Sequence, residues 1–177
     1  MIQTPLILRM PCIDDEASFK DAVRAFKKEA PSFPFAFDYT ETEPFYRYVE
    51  RVENWSRGLA LPERFVPNTF FVGVAGNTVV GRVSIRHRLN DFLRRIGGHI
   101  GYAVVPGYRR QGVATQLLSQ SLPVCASLGI ENALITCDVD NIPSIKVIER
   151  CGGQFEALTD EPGLAVQKRR YRIKTRT

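Results

Sequence analysis

The sequence predicts a mixed α/β domain, because segments with helical periodicity alternate with segments whose composition is typical of strands. Residues 69–75 and 78–88 are two such strand segments, and the dipeptide Gly76-Asn77 between them is a recognised hairpin turn. Residues 99–125 continue from a strand through a glycine-containing turn into an amphipathic helix. A chain of 177 residues can bury a sizeable core, so we expect a single domain over residues 1–177.

The first part of the chain predicts one strand and two helices. Residues 6–10, LILRM, are the strand, and Asp14 and Asp15 begin a helix with one apolar face. That face contains Phe19, Ala22, Val23 and Phe26. An aromatic segment over residues 33–39 then leads through a loop into a second helix at about residues 43–55.

The aromatic segment has two interpretations. Prolines interrupt helical structure there, and aromatic side chains exposed on an irregular segment favour the wall of a binding cleft. The alternative is a hydrophobic loop packed on the core. The side chains concerned are Phe33, Phe35, Phe37 and Tyr39.

The next part predicts a strand followed by a helix. Residues 99–105 form a strand that ends at Pro106-Gly107, and apolar residues then repeat at helical spacing from Ala114 to Cys125. Pro123 lies inside this pattern and should kink the helix or end its first half.

The last part predicts strand, helix and two strands. Residues 132–139 are a continuous apolar run, which is typical of a strand buried on both faces. Asn141 is expected to cap the following helix, which ends at Gly152-Gly153. Residues 154–158 and 166–174 resemble two final strands.

The net charge of +5 suits an anionic partner, such as a phosphorylated cofactor or nucleic acid. Much of the excess lies in Arg109-Arg110 and in the basic segment 168–177, for which a solvated edge is the alternative explanation. The chain has no helix-turn-helix pattern and no repeated basic-aromatic strands, so nucleic acid is disfavoured as a partner.

Targeting and cysteine patterns point to the cytoplasm. The N-terminal residues do not resemble a signal peptide, and no apolar run reaches the roughly 18 residues that span a bilayer, so no membrane association is expected. The four cysteines, at positions 12, 125, 137 and 151, lack the spacing of a metal finger. We therefore expect reduced, buried thiols and no metal site.

The turn in YRRQGVATQL, residues 108–117, has the properties of a phosphate site. A strand that leads directly into a helix leaves the first N–H groups of the helix without partners, at the positive end of its dipole. Gly112 allows close approach of an anion, Ala114 keeps the first turn bare, and Arg109 and Arg110 add charge. The lysine of a kinase-type phosphate loop and the dinucleotide pattern G-x-G-x-x-G are both absent.

Residues 99–118 and 135–153 together resemble the GCN5-related N-acetyltransferase (GNAT) family. The family's strand ending in V-x-P corresponds to residues 104–106, and its motif [QR]-x-x-G-x-[GA] corresponds to residues 109–114. A second signature, an asparagine with a small residue three positions later, is present at Asn141 and Ser144. Residues 81–102 are most similar to a bacterial subfamily of predicted acetyltransferases whose substrate is not identified.

This resemblance implies a GNAT-like fold of mixed α+β class. That fold has a central, twisted, mixed and mostly antiparallel sheet of about seven strands, flanked by about four helices and splayed at the strand carrying residues 99–105. The resemblance also implies acetyl-CoA (coenzyme A) as co-substrate and direct attack of an amine on the thioester, without a metal or a covalent enzyme intermediate.

Carried onto this sequence, the resemblance assigns backbone amides from Gln111 to Thr115 to the pyrophosphate of coenzyme A. The strand edge at Val104 and Val105 would pair with the pantetheine arm, and an N–H near Val104 would polarise the acetyl carbonyl. Asn141 and Ser144 would contact the far side of the pantetheine or the thiol. The expected cofactor-binding residues are Val104, Val105, Arg109, Arg110, Gln111, Gly112, Val113, Ala114, Thr115, Asn141 and Ser144.

The sequence departs from the family pattern at two catalytic positions. Ile148 stands where many members have a tyrosine that protonates the thiolate, so Ser144, water or no acid at all would serve here. His99 stands where many members have a glutamate, and it is either a base or a hydrogen-bonded strand residue. Arg86 and His87 either line the acceptor cleft or form a charged strand end.

We therefore predict an N-acetyltransferase with His99 and Ser144 as candidate catalytic residues. The alternative, suggested by the missing tyrosine, is a non-catalytic acyl-CoA-binding sensor on the same fold. The acceptor is expected to be an amine-bearing small molecule or peptide, and a homodimer is compatible with the sequence.

Overall fold

The computed structural model describes residues 5–30, 34–159 and 165–176, and all statements about the structure concern these residues. The strands are β1 (Leu6–Arg9), β2 (Asn68–Ala75), β3 (Thr78–Arg86), β4 (Ile100–Val104), β5 (Asn132–Asp138), β6 (Gln154–Thr159) and β7 (Lys168–Lys174). The α-helices are α1 (Glu16–Glu29), α2 (Phe45–Ser56), α3 (Val113–Ser127) and α4 (Ile142–Arg150). Short 3-10 turns cover Ile13–Asp15 and Pro106–Tyr108, and a π-helical turn covers Leu93–Gly97.

The strands form two antiparallel sheets, with the orders β1-β2-β3-β4 and β5-β7-β6. The sheets meet at the start of β4, where the N–H of His99 donates to the carbonyl oxygen of Leu134 over 2.7 Å. Beyond this point β4 and β5 diverge, and residues 100–102 and 135–138 line opposite walls of a cavity of about 260 Å³. The predicted GNAT-like architecture, with its splay at the strand carrying residues 99–105, is confirmed.

Apolar side chains pack on both faces of the first sheet. One cluster joins α3 and α4 to the sheet through residues such as Leu117 and Ile148. The other joins α1 and α2 through aromatic residues such as Phe19 and Tyr48. Side chains of a strand alternate between faces, and Val104 accordingly belongs to the first cluster. The residues that line the cleft can therefore be divided by the face of the first sheet to which they belong. Those on the side of α3 and α4 are called the α3/α4 wall, and those on the side of α1 and α2 are called the α1/α2 wall.

Two local features differ from the sequence prediction. Pro123 does not end α3, which continues to Ser127; a kink, the other effect predicted for it, stays a prediction. The π-helical turn before β4 is not predicted by periodicity; Asn90 begins it by accepting the N–H of Leu93 over 2.9 Å.

The described helices are too short or too polar to cross a bilayer. Among the described residues, histidine, cysteine and carboxylate side chains do not gather in any group of three that could hold a metal ion.

Candidate active site

The turn before α3 has the backbone geometry of an anion-binding concavity. Arg110 and Gly112 both have left-handed conformations, with φ of 61° and 81°, and such turns direct neighbouring N–H groups toward one side. The N–H groups of Val113, Ala114 and Thr115 follow at the start of the helix, where no intrahelical acceptor is in reach. A Cβ atom on Gly112 would meet nothing within 4 Å. The space beside Gly112 is therefore open, and phosphate binding by these amides stays a prediction.

Two side chains of the turn brace it instead of facing outward. The Arg109 guanidinium forms an ion pair with Glu29 of α1 and lies over the ring of Phe26, 5.6 Å from its centroid. Gln111 donates from Nε2 to the carbonyl oxygen of Gly107 over 3.1 Å. These contacts assign the Arg109 side chain to positioning the turn, whereas its role as a direct phosphate ligand stays a prediction.

The open edge of β4 presents the amide of Val104 but not that of Val105. The N–H of Val105 donates to Val80 over 2.9 Å, and its carbonyl oxygen accepts from Tyr108 over 2.9 Å. Backbone groups alternate between the two sides of an antiparallel strand, so the N–H of Val104 points away from β3, toward the cleft. The predicted pantetheine edge is therefore corrected to Val104 alone, because the amide of Val105 is already used within the sheet.

The α3/α4 wall of the cleft combines the start of α4 with a buried tyrosine. Asn141 caps α4, as predicted, by accepting the N–H of Ser144 at Oδ1 over 3.1 Å. The Tyr102 hydroxyl donates to the carbonyl oxygen of Ser144 over 3.5 Å. Burial raises the pKa of Tyr102 to about 12, so this hydroxyl stays protonated at neutral pH. All three residues line the cleft.

Tyr102 is a site residue that the sequence analysis missed. The signal was present, because Tyr102 lies two residues before Val104 and therefore on the same face of β4. Ile148, at the position of the family tyrosine, is only 1% exposed and packs in the core.

His99 lies where the two sheets join, at the closed end of the cleft. Its Nδ1 atom accepts the N–H of Leu134 over 2.9 Å. The pKa of His99 is lowered to about 4, first by burial and then by the positive charges of Arg172 and Arg86, so the ring is neutral at pH 7. This geometry favours the interpretation of His99 as a hydrogen-bonded strand residue; its role as a base, through Nε2, stays a prediction.

The α1/α2 wall is built from β3 and from part of the aromatic segment. Arg86 and Phe37 line the cleft and also a second cavity of about 180 Å³. Phe35 is 3% exposed and belongs to the core, as does most of Tyr39. The interpretation as a cleft wall therefore applies to Phe37, and the interpretation as a loop packed on the core applies to Phe35 and Tyr39. Phe33 lies outside the described residues.

His87, the neighbour of Arg86, does not share its position. Its Nε2 atom and the hydroxyl of Thr69 are hydrogen-bonded over 2.8 Å, and its N–H donates to the carbonyl oxygen of Pro67 over 2.8 Å. Burial lowers the pKa of His87. Of the two residues expected at the acceptor cleft, only Arg86 is therefore among those that line it.

Comparison with known proteins assigns the chain to a family. Residues 24–153 match the model of the acetyltransferase (GNAT) family. This match extends over more than half of the sequence, and the chain belongs to this family. The family predicted from the sequence motifs is thus confirmed, and acetyl-CoA is the co-substrate that this family uses.

Individual relatives resemble the chain at modest sequence identity. The N-alpha-acetyltransferase 30 of Schizosaccharomyces pombe is 28% identical over 113 residues, which cover 63% of this chain and 68% of that protein. An N-alpha-acetyltransferase of Saccharolobus solfataricus is 31% identical over 120 residues, which cover 62% of this chain and 64% of that protein. A solved ribosomal L7/L12 alpha-N-protein acetyltransferase in complex with coenzyme A shares the fold, with a TM-score of 0.69, 19% identity and coverage of 98% and 96% of the two chains.

Proposed function

We propose that residues 1–177 act as one domain that transfers an acetyl group from acetyl-CoA to the nitrogen of an amine. The observation that carries this proposal is the continuity of two backbone sites. The edge amide of Val104 and the turn at Gly112 lie eight residues apart on one strand–turn–helix segment, and this segment continues from Tyr102, which lines the cleft.

Coenzyme A fits this arrangement from one end to the other. Amides from Gln111 to Thr115 would bind its pyrophosphate, with the exposed side chain of Arg110 beside them. The N–H of Val104 would bind the acyl carbonyl oxygen, where negative charge develops during attack. Asn141 and Ser144 would contact the pantetheine from the opposite wall.

In the reaction, a neutral amine attacks the thioester carbon, the C–S bond breaks, and a proton lost by the nitrogen ends on the coenzyme A sulfur. A thiol with a pKa of about 8.5 leaves readily as a thiolate. Tyr102 has a pKa of about 12, so full proton transfer from it to the sulfur is uphill. We therefore assign the Tyr102 hydroxyl a hydrogen bond to the departing sulfur, for which its hydrogen turns away from the carbonyl oxygen of Ser144, and not the role of an obligatory acid.

The names of the two curated relatives support a protein or peptide α-amine as the acceptor. A non-catalytic acyl-CoA sensor remains the competing function, since Ile148 replaces the family tyrosine. The test is to incubate the protein with acetyl-CoA and a panel of peptides and small amines, and to measure both free thiol and acetylated amine. Equal formation of both supports the transferase. Tight acetyl-CoA binding without acetylated product across the panel would identify the sensor.

A further inference from the structure

Two guanidinium groups of β3 lie on the α1/α2 wall of the cleft. Arg82 is 2% exposed, donates to the carbonyl oxygen of Gly101 over 3.2 Å, and lies over the ring of Phe37, 5.1 Å from its centroid. Arg86 is two pleats further along the same face and donates to the carbonyl oxygen of Gly97 over 3.4 Å. The acceptors in these bonds are neutral backbone carbonyls.

The charge of Arg86 has no acidic counterpart in the part of the chain that the structure describes. An ion pair would require a carboxylate oxygen within 4.0 Å of a guanidinium nitrogen of Arg86, and none of the described carboxylates lies that close. Burial lowers the pKa of Arg86 to about 10, which still leaves the guanidinium charged at pH 7. A largely buried charge without a counter-ion is costly, and an anionic ligand would remove much of that cost.

A second, independent feature lies directly across from Arg86. Asn68 is its register partner on β2, is 5% exposed, and has an Oδ1 atom without a hydrogen-bond partner among the described residues. Its Nδ2 atom donates to the carbonyl oxygen of Val66 over 3.3 Å. Asn68, Ser84 and Arg86 all line the second cavity. The polar lining of this cavity is therefore incomplete until something accepts from the guanidinium and donates to Oδ1.

The second cavity adjoins the reaction cleft, because Phe37 and Arg86 line both. Gly101 of β4 makes this placement feasible, since a Cβ atom there would lie 3.0 Å from Nη1 of Arg86. An acceptor held by Arg86 would thus extend from the second cavity to the strand that borders the thioester.

We propose that the acceptor is an amine that carries a carboxylate within a few bonds of its nitrogen. The guanidinium of Arg86 binds the carboxylate through two parallel N–H···O bonds, and Oδ1 of Asn68 accepts an N–H of the same molecule. This inference rests on the proposed function and names the class of its acceptor. A free amino acid and the acidic N-terminal residues of a peptide offer the same chemistry.

The test uses pairs of acceptors that differ in the negative charge, with kcat/KM expressed per neutral amine because the carboxylate also makes the amine more basic. One pair is a peptide beginning with Asp and its counterpart beginning with Asn; another is leucine and leucinamide, which separates free amino acids from acidic peptides. We expect kcat/KM to be roughly 10- to 100-fold higher for the charged member of one pair, the range typical of a charge-assisted hydrogen-bond pair. In Arg86→Gln that ratio should fall to about one, whereas the exposed control Arg88→Gln should keep it.

Two further measurements keep the outcome interpretable. Gly101→Ala retains the charge but displaces the guanidinium, so it should also reduce the ratio. Calorimetry with N-acetylated Asp and Asn peptides, in the presence of coenzyme A, measures anion binding without turnover. If amines are acetylated but neutral acceptors do as well as charged ones, the carboxylate site is refuted and the transferase stands. If no amine is acetylated but Asp product binds through Arg86, the carboxylate site stands and the transferase is refuted.

Discussion

The two walls of the cleft offer different kinds of atoms to their ligands. On the α3/α4 wall, the groups expected to bind the acyl carbonyl and the pyrophosphate are backbone N–H groups, at Val104 on the strand edge and in the turn around Gly112. On the α1/α2 wall, the polar groups are side chains, Arg86 on β3 and Asn68 on β2. The cofactor donors belong to one continuous piece of chain, and the acceptor groups belong to separate strands.

This difference determines how the binding of each ligand can be altered by mutation. A backbone donor is present whatever the side chain, so single substitutions remove it only by blocking the site or altering the conformation. A side-chain donor is removed by one substitution at the position. Binding of the acceptor can therefore be weakened by one substitution without disturbing the cofactor, whereas weakening cofactor binding requires a substitution that blocks the turn.

A block at the turn should give the largest effect. Ala114→Asp places a carboxylate in the first turn of α3, where the pyrophosphate is expected, and it repels the ligand while competing for its amides. Several charge-assisted bonds, each about 1.5–3 kcal/mol, would be lost together, so coenzyme A affinity should fall at least roughly 1000-fold. Isothermal calorimetry measures this. Ser119→Asp, exposed on the same helix, is the control, and unchanged affinity in a folded Ala114→Asp protein contradicts the phosphate site.

The aromatic segment separates core from wall within three residues. Phe35→Ala should lower the free energy of unfolding by about 3–5 kcal/mol, because this side chain is buried against Phe19 and Phe26. Phe37→Ala should instead raise the KM of the acceptor while the KM of acetyl-CoA stays nearly constant. Denaturant unfolding and steady-state kinetics on both variants check the assignment, which is wrong if the two variants behave alike.

The variant His99→Gln tests whether His99 stabilises the junction of the two sheets. Its pKa is lowered from 6.5 to about 4, so the unfolded chain binds a proton in this range before the folded protein does. The free energy of unfolding should therefore fall as the pH is lowered from 6.5 to about 4, and His99→Gln should weaken this dependence. Denaturant titrations at several pH values measure it.

The variant His99→Gln also tests the competing role of His99 as a general base. A base typically contributes about 10²–10⁴-fold, so a fall in kcat/KM of at least roughly 100-fold with unchanged stability would restore His99 as a base. With a pKa of about 4, the wild-type histidine would not produce a rate limb near neutral pH. Any limb there should instead follow the pKa of the acceptor amine.

Tyr102→Phe should have the smallest effect of the series. It removes one hydroxyl from the α3/α4 wall, and a single hydrogen bond to a partly charged sulfur is worth about 1–1.5 kcal/mol. We expect kcat to fall about 10-fold with unchanged coenzyme A affinity. Exposed Tyr46→Phe is the control. A loss of nearly all activity would instead make Tyr102 an obligatory acid.

The features that the sequence determined by itself are those formed by neighbouring residues. The hairpin at Gly76-Asn77, the cap at Asn141 and the turn before α3 each depend on a few consecutive positions whose backbone preferences are local. The turn also carries its own chemistry, because the donors are amides that follow from the conformation. The conformation at Gly112 and the amides that it presents could therefore be predicted from the motif, while phosphate binding there stays a prediction.

The features that only the tertiary structure decided depend on contacts between distant segments. Alternation along β3 and β4 places Arg86 and Tyr102 on opposite faces, but it does not say which element covers each face. The pairing of Arg109 with Glu29, 80 positions away, gives the Arg109 side chain a bracing contact that the sequence does not predict. Likewise the bond from Leu134 to His99, 35 positions away, gave the expected base a role in joining the sheets. Such contacts are set by packing across the whole chain, so the acceptor side of the cleft became visible only when β2, β3 and β4 lay side by side.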